Sequence, residues 1–180
     1  EAAAANRDIA RTREVMKVML DNMTHGVAMF DRDTKLAARN RQFEQMCDLP
    51  AYFFEGEPTY ADLIRYLARR GEYGEVNVEG FVARVTANVD RHYATERIRP
   101  DGTVLEIRHN PLPGGGFVSI YSDITERKRA ERRIRYLARY DALTKVPNRM
   151  QFQHLLQQAI ARALRNKTSL ALLYLDMDRF

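Results

Sequence analysis

The sequence predicts an α+β fold, and three observations carry that prediction. Two short apolar runs flank a polar turn at residues 27–38, helical periodicity fills residues 40–89, and a period of two takes over from Tyr93 to Tyr121. Together they order the chain as strand, strand, three helices and three strands, with a long basic segment and a second apolar region behind.

Each element has a local reason. Residues 1–23 open with an alanine run of high helix propensity, and Ile9, Met16 and Met23 recur every seven residues. They form an amphipathic helix whose seam either packs on its own domain or pairs with a second copy, and Gly26 is a plausible stop. Val27-Ala28-Met29-Phe30 and Lys35-Leu36-Ala37-Ala38 flank Asp31 to Thr34 as a hairpin. Phe43, Met46 and Cys47 recur at helical spacing until Pro50. A second helix, Tyr60 to Arg69, carries Leu63, Ile64 and Leu67, and a third, Val78 to Val89, carries Phe81, Val82 and Val85. Three antiparallel strands then follow, turning at Pro100-Asp101-Gly102 and at Pro111 to Gly116. The triple glycine feeds a strand, whereas a phosphate cradle feeds a helix N-terminus, so it reads as a turn.

Composition excludes several classes. A chain of 180 residues, 45% hydrophobic and 29% charged, can bury a core of its own. The single cysteine, Cys47, excludes an internal disulfide framework and a Cys-based zinc cage and makes a cytoplasmic setting the default. No apolar run approaches the roughly 20 residues that cross a bilayer, so a membrane anchor of the parent protein would lie outside these residues. Much of the net charge of +5 sits between Arg127 and Arg139, which marks one segment and not a nucleic-acid-binding face. The chain opens without Met and stops after a strand-like run, so both ends read as cut.

In this order, Gly26-Val27-Ala28-Met29-Phe30-Asp31, Asn40, Arg99-Pro100-Asp101-Gly102 and Tyr121-Ser122-Asp123-Ile124-Thr125-Glu126 resemble a PAS domain. The resemblance implies a five-stranded antiparallel sheet with helices on one face, spanning residues 24–125. Asp123 and Glu126 suit a capping arrangement for the helix that follows, Asp123 accepting from first-turn amides and Glu126 reaching back. In the family this motif couples sensor to output, which makes Asp123, Thr125 and Glu126 the coupling residues. Phe81, Val82, Val85, Ile107 and Phe117 would line a pocket for a small molecule or close a core. No cofactor is evident: Cys47 does not lie in the motif of the photoreactive flavin domains, and His92 is the one candidate haem ligand, more simply read as a surface residue.

Residues 126–140 form the coupling helix, free of Gly and Pro, with Ala130, Ile134 and Leu137 as an apolar stripe suited to a parallel coiled coil. Its arginines would also suit a DNA-binding dimer, but no Asn or Gln on the helix reads base edges, and no nucleic acid is expected. Next come Asp141-Ala142-Leu143-Thr144-Lys145-Val146-Pro147-Asn148-Arg149 and an amphipathic helix, then an apolar run into Asp176-Met177-Asp178-Arg179-Phe180. Residues 141–180 resemble the start of a GGDEF domain, with a first helix and first strand of α/β type. Lys145 stands where the family usually has Gly and Val146 where it has Leu, both in the linker turn. The resemblance implies Asp141, Leu143, Thr144, Pro147, Asn148 and Arg149 as the link to output, Asp176 as a Mg2+ ligand, and Mg2+ and GTP as requirements of the complete cyclase. The chain ends before the Gly-Gly-Asp/Glu-Glu-Phe turn, so these residues alone should not turn over. The expected role is a homodimeric sensor, paired through its flanking helices, that regulates synthesis of cyclic di-GMP. The alternative is a non-enzymatic dimerisation module whose basic helix meets a partner or DNA.

Overall fold

The inner face of one antiparallel sheet organises the first half of the chain. In a computed structural model, which describes residues 11–173 and 175 apart from 13 and 17, the strands are β1 (Gly26–Phe30), β2 (Leu36–Arg39), β3 (Tyr93–Ile98), β4 (Val104–Pro111) and β5 (Phe117–Asp123). Their order is β2-β1-β5-β4-β3, every pairing antiparallel, so the hairpin that opens the sheet joins the strand that closes it. Period-2 alternation puts Ala28 and Phe30, Leu105 and Ile107, Phe117 and Tyr121 inside, while Met29 faces out. Phe30 stacks on Phe117 with centroids 4.8 Å apart, and Tyr60 meets both rings edge-on at 5.2 and 4.9 Å.

Helices α1 (Arg41–Cys47), α2 (Tyr60–Arg69) and α3 (Val78–Thr86) follow β2, joined by a 3-10 turn at Ala51–Phe54. Each helix begins on a side chain that accepts one of its free amides. Asn40 serves Phe43, Thr59 and Asp62 form a reciprocal box, and Asn77 serves Gly80. Asn40 does more than cap. Its Oδ1 also accepts from Val27 at 2.8 Å while Nδ2 donates to the Leu20 and His25 carbonyls at 2.8 and 2.9 Å, so one buried amide pins β1, α1 and the preceding segment. Gly26 permits this closeness, because a Cβ there would lie 2.8 Å from the Phe43 Cα.

The chain divides into two compact units, residues 1–128 and 129–180. Helix α4 (Thr125–Leu137) starts in the first, and α5 (Arg149–Asn166), capped by Asn148, lies in the second. Residues 11–12, 14–16 and 18–21 are helical, with Met16 and Met23 exposed; Ile9, the first member of their seven-residue repeat, lies outside the described residues.

Four sequence expectations need correction. The third helix stops at Thr86, not Val89, and gives way to turns at residues 87–90. Pro111, expected in a turn, pairs with Phe117 at the end of β4, where a strand end tolerates a missing donor. The coupling helix ends at Leu137, because Asn148 takes up the chain there: its backbone N–H donates to Arg139 at 2.8 Å and its Nδ2 to Ala138 at 3.0 Å. Residues 169–173 and 175, expected as strand, carry none, since a strand needs a neighbour for its ladder and the described residues supply none.

Candidate functional site

A cleft of ≈ 920 Å³ opens between α3, the segment after α2 and the inner face of β3. Of the five pocket residues expected from sequence, Phe81, Val85 and Ile107 line it. Val82 and Phe117 are 5% and 1% exposed and belong to the packed core instead. Tyr60 and Tyr93 bring their hydroxyls within 3.3 Å of each other on the cleft wall. His92 also lines the cleft. His109 is fully engaged: Nε2 lies 2.8 Å from the Val89 carbonyl, and the ring packs between Tyr93 and Phe117 at 4.8 and 4.1 Å. Burial holds its pKa below the usual imidazole range, against the opposing pull of the Val89 carbonyl.

The cleft's polar floor was missed by sequence reasoning. Glu72, between Gly71 and Gly74, has a side chain only 1% exposed and draws three arginines. Arg70 approaches it at 2.6 Å, Arg99 at 3.2 Å and Arg97 at 3.7 Å. Arg97 donates to the Tyr73 hydroxyl at 3.1 Å and touches the Cys47 sulfur at 4.0 Å. Burial pushes the Cys47 thiol up to about 11, a protonated and unreactive state at neutral pH. One signal was available: Arg97 shares its strand face with Tyr93, two aromatic-side positions away, yet alternation alone does not say which face is the core.

The junction between sheet and helix is built on Thr125. Its hydroxyl donates to Asp123 Oδ1 at 2.5 Å and accepts from the Val104 amide at 2.9 Å, while its own amide donates to Asp123 Oδ1 at 2.8 Å. The Ile124 amide donates to the Val104 carbonyl at 2.9 Å. Asp123 is the last residue of β5 and accepts from the amide of Thr125, the first residue of the helix and one of the first-turn amides expected from sequence. Glu126 lies in that first turn, at the positive end of the helix dipole. The next two residues reach back to the sheet: Arg127 pairs with Glu106 of β4 at 3.2 Å and Lys128 with Glu96 of β3 at 2.7 Å. Hydrogen bonding from Arg127 and Arg108 holds the Glu106 carboxyl below its usual range.

In the second unit the linker residues close one turn. Asp141 Oδ1 accepts from the amides of Leu143 and Thr144 at 3.1 and 2.8 Å and from the Thr144 hydroxyl at 2.7 Å. Those bonds, the Thr144 amide first, hold its carboxyl below the usual range. Tyr140 bridges to Pro147, and Asn148 accepts from Gln151 at 3.0 Å to start α5 at Arg149. Lys145 sits at φ 62°, the left-handed region that explains why glycine is usual there. Leu143 is 88% exposed. Asp176, the expected metal ligand, lies outside the described residues.

A PAS-type sheet, a cleft against its inner face and a helix leaving its last strand together define a sensor-domain fold. The chain belongs to the PAS fold family, whose model matches residues 20–132. Residues 138–180 match the diguanylate cyclase GGDEF domain. The chain is 46% identical over 59 residues to the cyclic di-GMP phosphodiesterase PdeR of Escherichia coli, covering 33% of this chain and 9% of that protein. It is 31% identical over 140 residues to an uncharacterized signaling protein of Caulobacter vibrioides, covering 74% and 16%. With the bifunctional diguanylate cyclase/cyclic di-GMP phosphodiesterase MucR of Pseudomonas aeruginosa it shares 45% identity over 56 residues, covering 31% and 8%. It therefore spans between 8% and 16% of the length of these relatives. Among the described residues no helix is long and apolar enough to cross a membrane.

Proposed function

We propose that the chain is the sensing and coupling part of a cyclic di-GMP signalling protein, in which the PAS domain controls a GGDEF domain that joins two GTP into cyclic di-GMP. The observation that carries this reading is continuity: β5 passes through Asp123 and Thr125 into α4, and the GGDEF match begins at residue 138, one residue after α4 ends. Rearrangement at the inner sheet face would reach α4 through the Val104–Thr125 bond and the Glu96–Lys128 pair. The flanking helices would pair two copies. Exposed Met16, Ile134 and Leu137 supply apolar seams for that. Asp176, with Mg2+ bound, would belong to the nucleotide site. The cell interior is the expected setting.

The test is product formation by the full natural polypeptide given GTP and Mg2+. Cyclic di-GMP detected by mass spectrometry is expected; its absence in every ligand state of the PAS domain would overturn the reading. Sedimentation of the 180-residue chain tests the dimer, and a monomer at every concentration would count against both seams.

A further inference from the structure

Arg97 carries a deficit that folding alone does not explain. Its side chain is 5% exposed and lines the cleft. Of its five N–H donors, one meets the Tyr73 hydroxyl and one the Cys47 sulfur at 4.0 Å. Among the described residues, its Nε is the buried side-chain polar atom left without a partner, because Glu72 stands 3.7 Å away. That carboxylate is shared with Arg70 at 2.6 Å and Arg99 at 3.2 Å, which also meet Asp48 at 3.5 Å and Asp101 at 3.2 Å. A guanidinium therefore sits almost fully desolvated on the wall of a cleft, with its nearest carboxylate too far from Nε for a hydrogen bond.

The rest of the wall defines what would complete it. Arg84 and Arg91 also line the cleft, against Glu72 and Glu96, so cations outnumber carboxylates. Phe81, Val85 and Ile107 offer apolar surface beside them. The Tyr60–Tyr93 hydroxyl pair adds a second polar point. We propose that the cleft binds a small organic acid, a carboxylate carried on an aromatic or aliphatic body, with the Arg97 guanidinium, its unpartnered Nε–H included, taking the carboxylate and the Phe81 side taking the body. A planar carboxylate matches the guanidinium fork, and it would supply the acceptor that Arg97 Nε lacks. A phosphate dianion would meet Glu72 and Glu96 with charge to spare. The inference deepens the reading of this domain as a sensor by naming its ligand class, and it does not depend on cyclase output.

The test uses the 180-residue chain with phenylacetate, benzoate and octanoate as probes, each paired with its uncharged amide. At ten times its Kd an acid should raise Tm by about 3–6 °C. The amides should bind at least tenfold more weakly, and the Arg97 Nε–H resonance of the 15N-labelled wild-type chain should shift with acid. Because Arg97→Gln risks misfolding, Val85→Glu serves as the second variant and should weaken acid binding at least tenfold by charge repulsion. Amides binding as well as acids, no acid binding to the folded chain, or an Arg97 resonance unmoved by a bound acid would each overturn the proposal. Acid binding by a protein that makes no cyclic di-GMP would leave it standing while the cyclase reading fell.

Discussion

Removing the Thr125 hydroxyl while keeping its shape is the sharpest perturbation of the junction. In Thr125→Val the Val104 amide loses its acceptor at 2.9 Å, and Asp123 loses a hydroxyl donor at 2.5 Å. Val104 is 4% exposed, so its amide gains little water in exchange. A buried donor left unpaired costs about 1–3 kcal/mol. Asp123 is exposed, and water replaces the lost hydroxyl at little net cost. The expected loss is therefore about 2 kcal/mol. Hydrogen exchange reads it locally: at 1.4 kcal/mol per decade, the Val104 amide should exchange about thirtyfold faster. Thr125→Ser keeps the hydroxyl and should exchange within about threefold of wild type. Equal protection in Thr125→Val and wild type, or equal damage from Ser and Val, would refute the claim that this hydroxyl fastens helix to sheet.

Glu72→Gln removes the one buried carboxylate that Arg70, Arg97 and Arg99 share; urea unfolding should show a loss of about 3–5 kcal/mol, and a loss under about 1 would mean the arginines find other partners. His109 is held neutral by burial, its pKa lowered from 6.5, so the folded state resists its protonation. Stability from this group is complete above 6.5 and declines as pH falls through the lowered folded value; His109→Gln should flatten that slope, and an unchanged slope would exclude His109 as its source. Lys145→Gly should relieve the left-handed strain at φ 62° and, net of glycine's unfolded-state entropy, raise stability by up to about 1 kcal/mol. A lower Tm in that variant would show that the lysine's bond to the Ala142 carbonyl outweighs the strain.

Fold and site were legible to different degrees. Hairpin, α2 and the three late strands follow from local pattern, because hydrophobic period and turn chemistry act over a few residues. Asn40 was legible as one of the residues of the PAS resemblance, but not as a buried hub holding Leu20 and His25, since those bonds depend on tertiary approach. In β3 the pattern misleads: Arg97 is buried while Ile98 is 65% exposed, because a long cation can enter the core when carboxylate and tyrosine await it. Glu72 sat in a glycine-punctuated stretch that reads as linker, and only the convergence of Arg70, Arg97 and Arg99 marks it. The Gly-to-Lys departure at 145 was visible in sequence, whereas its meaning required the backbone angle.

The central claim is that α4 transmits the state of the sheet to the GGDEF domain. Insertions within α4 after Ile134 test it most directly, with cyclic di-GMP formation by the full natural polypeptide as the readout. Seven inserted residues restore helical phase to within about 20°, whereas two shift it by about 200°. The account predicts that the seven-residue insertion keeps most of the control by the PAS domain and the two-residue insertion loses it. Identical output and control in both would contradict it.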